Sequence, residues 1–364
     1  MSPLKDIQFS PPKEIKLPGL TGKAEPLTRS RAFPDLAKYG GRFYLAFRTA
    51  PSHFTSPRAR IHIYSSTDGQ NWLYEHTVDR SRDVRDPRFL VFNGELYLFF
   101  MGRTLGRLYA GSGRTLCIKK NGSGWTSPYE IPYHNVGFWD VKSHEGRIYL
   151  SLYARNGIRR HTDPHFRLVA SSDLENWQSV FESPFTRQTL LNYRTSESAF
   201  DFDNNGMVFG TIRSLIYPNL NFSILPESPN HWRIQVDRYK YDGPKFFKHG
   251  GTHFLTARRS LFYRLPAEPF RFFKTIRNLV NILRYSLSRK RTALYHFDRD
   301  SLSIHHITDL PSHGDTGYSA VAHISGNRYL LVYYSSDITS GKDLSWLRGQ
   351  NSPTFLYSSE LQIY

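Results

Sequence analysis

Six times along the 364-residue chain a short polar turn centred on glycine precedes a strand of aromatic and aliphatic residues, at Gly41, Gly94, Gly146, Gly206, Gly251 and Gly326. Five of these strands run into arginine, at Arg48, Arg103, Arg155, Arg213 and Arg258, and the sixth ends at Tyr334. The glycines lie roughly 45 to 75 residues apart, too far for solenoid repeats but suited to four-stranded blades set in a ring. A ring aims one copy of each repeat position at a common axis, so residues distant in sequence can share one site. The repeat predicts an all-β, six-bladed β-propeller as a single domain over residues 27–364, preceded by an N-terminal extension, 1–26.

Upstream of each glycine lies the start of the strand expected nearest the axis. These starts are Ala32-Phe-Pro-Asp35, Arg85-Asp86-Pro87, Phe138-Trp139-Asp140, Ser196-Glu197-Ser198, Asp242-Gly-Pro-Lys245 and Asp315-Thr-Gly-Tyr318. Axial strands crowd together and favour small or apolar residues, so polar residues at their ends call for another explanation. Farther out, Ser66-Thr-Asp68-Gly69-Gln-Asn-Trp72 and the looser Ser171-Ser-Asp173-Leu-Glu-Asn-Trp177 read as hairpins. In these, Ser and Asp bond the turn backbone and Trp covers it, a structural device.

Repeats, hairpins and axial polar residues together resemble the sialidase-like superfamily of six-bladed propellers. The likeness covers about Leu27 to Tyr364 and rests on Ala32-Phe-Pro-Asp-Leu36, Asp83-Val-Arg-Asp-Pro87, Ser196-Glu-Ser-Ala199 and Gly314-Asp-Thr-Gly-Tyr318. These look like a bacterial branch of sialidase-like, BNR-repeat glycoside hydrolases. The resemblance implies that Tyr318 is a nucleophile, Glu197 the base that takes its proton, and Arg213 and Arg258 ligands for a substrate anion. The chemistry suits the residue types: a phenol with a pKa near 10 needs a carboxylate to accept its proton, and arginine pairs bidentately with an acid without losing its charge. An internal Glu197–Arg213 salt bridge with Tyr318 as a channel-lining aromatic is the structural alternative.

The carry-over departs from the family in the first blade. An Arg-Ile-Pro phrase is expected there, whereas Arg31-Ala-Phe-Pro has its proline one place late, and after Asp35 no aspartate follows until Asp68. Arg48 is the candidate third guanidinium, with Arg31 behind it. His53 sits where the general acid is expected, and a histidine near its ordinary pKa can protonate a leaving oxygen. Asp86 is its rival, held extended by Pro87; an Arg85–Asp86 clasp is the structural reading of the same pair. Arg85, Trp139 and Asp315, at axial strand ends, complete the candidate substrate contacts, Asp315 serving equally well to cap the Gly314 turn.

The formal charge of +17 draws polyanions, anionic membranes or acidic sugars toward the chain. Residues 261–291 read as a helical insertion in blade five, with Phe273, Ile276, Leu279, Val280, Leu283 and Leu287 on one face. Eight basic residues less Glu268 give it seven of the seventeen net charges. That face either packs on the propeller or a second subunit, or lies on an anionic bilayer through residues 270–291. Nucleic acid is not expected, because no recognition module accompanies the charge.

Cys117 is the single cysteine, which excludes an internal disulfide. Neither a signal-like apolar segment nor a bilayer-length apolar run occurs, so the expected location is cytoplasmic, with peripheral contact at the inner membrane face as an option. Asp201-Phe-Asp203-Asn-Asn205-Gly206 imitates half a calcium loop, but Ile212 holds the twelfth place, so a β-turn is expected. His161, His165, His305 and His306 lack metal-ligand spacing; neither metal nor cofactor is implied. The functional expectation is a glycosidase acting on a terminal, acidic sugar of a glycan or polysaccharide. A non-catalytic carbohydrate-binding propeller in polysaccharide assembly, and a glycan lyase or phosphorylase, are the alternatives.

Overall fold

The computed structural model describes residues 6–20, 26–105, 110–134, 136–154, 166–183, 195–214, 219–261 and 274–364. Six antiparallel sheets form the six blades. Blade one shows the plan, with Ser30–Tyr39, Arg42–Ala50, Arg60–Ser66 and Leu73–Val78 running in order from the axis outward. The other axial strands are Asp83–Phe92, Val136–His144, Thr195–Phe202, Asp242–His249 and Gly317–Ser325. Each touches the axial strand before and after it, and the last touches the first. The ring is closed.

The marker turns work as the glycines imply. Gly41, Gly94 and Gly146 have φ of 75°, 75° and 70°, and the residues before them, Gly40, Asn93 and Glu145, are also at positive φ. Two left-handed residues match the right-handed twist of the flanking strands. In blade five Gly250, at φ 56°, does this instead of Gly251. Both Trp hairpins are bonded alike: Ser66 Oγ and Asp68 Oδ1 accept the turn amides of Gly69, Gln70 and Asn71, and Ser171 and Asp173 do the same for Leu174, Glu175 and Asn176. Asp203 Oδ1 accepts the amides of Asn205 and Met207, closing a turn.

Apolar side chains pack between blades. Separate clusters lie between blades one and two, two and three, three and four, and five and six, while the largest surrounds the axis. Part of the N-terminal extension joins the ring: Ile7–Phe9 pairs with Thr354–Ile363 as the outermost strand of blade six, and Lys13–Glu14 pairs with the same strand. Ile15 and Leu17 are buried in the axial cluster. Strand pairing between the two ends of the chain thus supplies the closure that a disulfide would otherwise give.

Of the insertion, Lys274–Leu287 is a helix; residues 262–273, Phe273 among them, and the side chain of Ile276 lie outside those described. Its inward face is polar and aromatic, with Asn281 and Tyr285 buried, while Leu279, Ile282, Leu283 and Leu287 are exposed. Packing of that apolar face on the propeller is therefore not what holds the helix. Tyr285 does so, with its ring between the ammonium groups of Lys240, at 3.8 Å, and Lys290, at 3.3 Å, and its hydroxyl bonded to Asp242.

Candidate active site

The axial end of every blade carries the same irregularity. In each axial strand the ladder skips two residues: Phe33-Pro34, Asp86-Pro87, Trp139-Asp140, Ser196-Glu197, Gly243-Pro244 and Tyr318-Ser319. A bulge frees its residues from pairing and re-aims their side chains. Four of the six first positions lie in the left-handed region: Phe33 at φ 58°, Asp86 at 54°, Gly243 at 62° and Tyr318 at 48°. For the three non-glycine residues that backbone costs of order 1–3 kcal/mol each and persists only where the surroundings enforce it, typically at functional sites. Six bulges at one end of a closed ring define the site.

Tyr318 stands at its centre. Its hydroxyl donates to Glu197 Oε1 at 2.7 Å, and Arg213 holds the other carboxylate oxygen. Its ring rests on Phe33, at 4.7 Å, and edge-on to Trp139, at 5.2 Å. Burial and the adjacent Glu197 push the phenol well above its ordinary pKa, against the pull of Arg258 and Arg213. At rest it keeps its proton and shares it with Glu197.

Gly243 makes room for that ring. A Cβ at position 243 would lie 3.0–3.2 Å from Tyr318 ring atoms, and the φ of +62° disfavours any side chain. Gly243→Ala is therefore expected to displace the phenol by a fraction of an ångström or more. A shift of that order costs about 100-fold in turnover; the ratio of mutant to wild-type kcat, with circular dichroism unchanged, is the measurement.

Arg213 bridges two carboxylates. It pairs with Glu197 and Asp242 and donates to Ser196 Oγ at 2.9 Å. Burial works against the charge of Asp242, yet Arg213, Lys240 and Arg258 override it and hold the carboxyl well below its usual range. Arg258 donates to the Thr316 carbonyl and, at 3.2 Å, to the Tyr334 hydroxyl, and its guanidinium lies over the rings of Tyr318, at 5.4 Å, and Trp346, at 5.2 Å.

Both candidate acids border this centre. Asp86 is buried; desolvation raises its pKa, opposed by Arg85, Arg103 and Arg88 and reinforced by Glu197. It holds the same bulge position in blade two as Tyr318 does in blade six. His53 Nδ1 pairs with Asp315 Oδ2 at 2.7 Å, and its ring meets Phe33 edge-on at 5.3 Å, so Phe33 separates it from Tyr318.

Several candidates have other work. Arg48 is fully buried, paired with Asp83 and donating to the carbonyls of Ser52 and Phe54; it anchors the loop that carries His53. Arg31 donates to the Leu20 carbonyl and flanks Phe355, tethering the N-terminal segment. Trp139 is fully buried, with Arg88 over its face at 4.2 Å and its indole N–H on the Pro244 carbonyl, so it walls Tyr318 and offers no surface to a ligand. Asp315 is equally buried and neither caps its turn nor faces a ligand; it holds His53 and accepts from Tyr334 at 3.1 Å. Arg85 pairs with Asp83 at 2.6 Å instead of clasping Asp86. The side chains of Arg85, Glu197, Arg213 and His53 keep 9–14% exposure.

Sequence reasoning passed over Asp242, Tyr334, Phe33 and Trp346. Tyr334 pairs with Gly317 as Arg48 pairs with Ala32 and Arg258 with Asp242, so it occupies the strand-end arginine position and was legible as such. The repeated X-Pro at Phe33, Asp86 and Gly243 was the available signal for the bulges. Arg155, His161 and His165 lie outside the described residues.

The architecture is that of a sialidase-like six-bladed β-propeller. It superposes on a protein of unknown function from Dyadobacter fermentans with a TM-score of 0.69 at 15% identity, covering 98% of this chain and 99% of that one. It also superposes on Trypanosoma rangeli sialidase in complex with sialic acid, with a TM-score of 0.61 at 13% identity over 96% of this chain, and on the same enzyme with 2,3-difluorosialic acid as a covalent intermediate, TM-score 0.58 at 11% identity over 96%. The chain spans only 57% and 56% of those sialidase chains. No protein-family model matches the sequence, and no curated protein matches it significantly. At these identities the likeness defines the fold.

Proposed function

We propose that the protein is a retaining glycoside hydrolase acting on a terminal sugar of a glycan or polysaccharide. The observation that carries this reading is the 2.7 Å bond from the Tyr318 hydroxyl to a carboxylate whose second oxygen is held by Arg213. Glu197 takes the phenolic proton as Tyr318 Oη attacks the anomeric carbon, and the glycosidic C–O bond breaks as Asp86 gives its proton to the leaving oxygen. Ionised Asp86 then deprotonates the water that releases the sugar, and Glu197 returns its proton to the phenol. Tyrosine as nucleophile is a known exception among glycosidases.

An acidic sugar remains the preferred substrate because Arg85 and Arg213 stand at the bulged end of the ring with part of each side chain still exposed. The arginines do not by themselves demand it, since Asp83, Asp242 and Glu197 already balance them. A panel of aryl glycosides, neutral and acidic, together with isolated polysaccharides, tests the reading. Release of aglycone or reducing ends supports it, and glycan binding with no product over long incubation contradicts it.

The acid assignment has its own pH signature. A raised carboxyl pKa favours the protonated form in the fold, so the stability contributed by neutral Asp86 is full at low pH and lost as pH rises through the raised value. Activity is expected to fall over the same window, because the acid must carry its proton. Asp86→Asn should remove that alkaline limb and lower kcat roughly 10²–10⁴-fold. Substrates with highly acidic phenol leaving groups, which need no protonation, should recover most of the loss. Recovery with a His53 substitution and not with Asp86→Asn would reassign the acid to His53.

A further inference from the structure

Thirteen large apolar side chains are exposed among the described residues, and five of them, Leu279, Ile282, Leu283, Leu287 and Leu347, sit on two helices in contact with each other. The other eight are spread along the chain from Phe54 to Tyr364, as apolar residues commonly are on a protein surface. A cluster calls for a reason. On the helix Lys274–Leu287 the four leave 46–61% of their surface open, although a surface helix normally turns its apolar stripe toward the core. Tyr285 fixes the opposite orientation: its hydroxyl bonds Asp242, its ring lies between two ammonium groups, and it meets Trp346 of the short helix Trp346–Gln350 edge-on at 5.1 Å. The Trp346 amide also donates to the Ser288 carbonyl at 3.1 Å, so the two helices are tied together.

Basic charge accompanies the apolar residues. The only charged residues of the longer helix are Lys274, Arg277 and Arg284, and none is acidic. Arg284 and Arg348, one on each helix, are exposed and have no ion-pair partner among the described residues. Asp343, on the segment leading into the short helix, is already shared by Arg289 and Arg291, at 3.4 and 2.9 Å. A second copy of the chain seated here would bring the same arginines against each other across a two-fold axis. An anionic bilayer meets both the apolar and the basic features.

We propose that the two helices dock the protein on an anionic lipid bilayer, with Leu279, Leu283 and Leu287 at the boundary between headgroups and acyl chains and Arg284 and Arg348 at the lipid phosphates. Apolar burial and charge attraction add in this mode of binding. The insertion leaves and rejoins blade five at Ser260 and Lys290, a pair two rungs past Arg258 and therefore at the bulged end of the ring. Docking brings that end to the lipid surface. The inference is independent of glycoside hydrolysis.

Flotation of the full chain with vesicles of phosphatidylglycerol and phosphatidylcholine in equal parts tests it. Co-flotation is expected, weakening as salt is raised, with partitioning onto phosphatidylcholine alone at least about tenfold lower. Leu283→Gln combined with Leu287→Gln should lower partitioning onto the mixed vesicles at least about tenfold. Circular dichroism should be unchanged, because both side chains are exposed. The variant keeps every charge, so equal flotation of variant and wild type would show adsorption by net charge alone and overturn the proposal. Failure of the wild type to float would overturn it as well; if the lipid-free protein then sediments as a dimer that the variant dissociates, the face belongs to a second copy.

Discussion

Tyr318→Phe is expected to lower kcat by roughly 10⁴-fold or more on any glycoside that the wild-type protein cleaves, because losing a nucleophile that acts as a unit with its base removes most of the chemical acceleration. Glu197→Gln is expected to cost a comparable factor. An amide can accept the phenolic hydrogen bond but cannot take the proton, and no other carboxylate bonds the Tyr318 hydroxyl among the described residues. The double variant should be little worse than either single one, since each removes the same step. Both variants should fold: Tyr318→Phe deletes one hydrogen bond, worth about 1–2 kcal/mol. Additive losses in the double variant would show that the two residues act separately.

Asp242→Ala is expected to be the most destabilising single change at the site. This fully buried carboxylate takes Arg213, Lys240 and the Tyr285 hydroxyl at once, so it joins blade four, blade five and the insertion helix. Its removal takes one ion-pair partner from Lys240 and one of two from Arg213, which keeps Glu197 and Ser196. Breaking a buried ion pair by deleting one partner costs about 3–5 kcal/mol, readable as a lowered urea midpoint. Fluorescence of Trp346, 5.1 Å from Tyr285, should shift with it as the helix loosens. A loss below about 1 kcal/mol would mean that the cations near Asp242 are satisfied elsewhere.

The ring was legible because it is written in local terms. Glycine at positive φ in turns such as Asn93-Gly94, strands alternating between two apolar faces, and the Ser-Asp-Trp hairpins each depend on neighbours in sequence. The Tyr318–Glu197–Arg213 group came from resemblance, and the fold brings those three together. What stayed hidden depends on register and on distant partners. A bulge is defined by the strand opposite, so that Phe33, Asp86 and Tyr318 share one conformation emerges only once the ladders are paired. Arg48 and Arg213 both end second strands of their blades, and only the positions of Asp83 and Glu197 decide that one anchors a loop and the other holds the base. For the insertion, periodicity correctly set Leu279, Leu283 and Leu287 on one face, but it carries no information on whether that face turns inward; Tyr285, between two lysines, turned it out.

The most direct test of the central claim, that Tyr318 activated by Glu197 attacks the sugar, is covalent trapping. The protein would be incubated with activated fluorosugars matching the glycosides it hydrolyses, digested and mapped by mass spectrometry. A single glycosyl adduct on the Tyr318 side chain, absent from Tyr318→Phe, is the expected result; an adduct on Asp86, His53 or any other residue, or an adduct that persists in Tyr318→Phe, would contradict it.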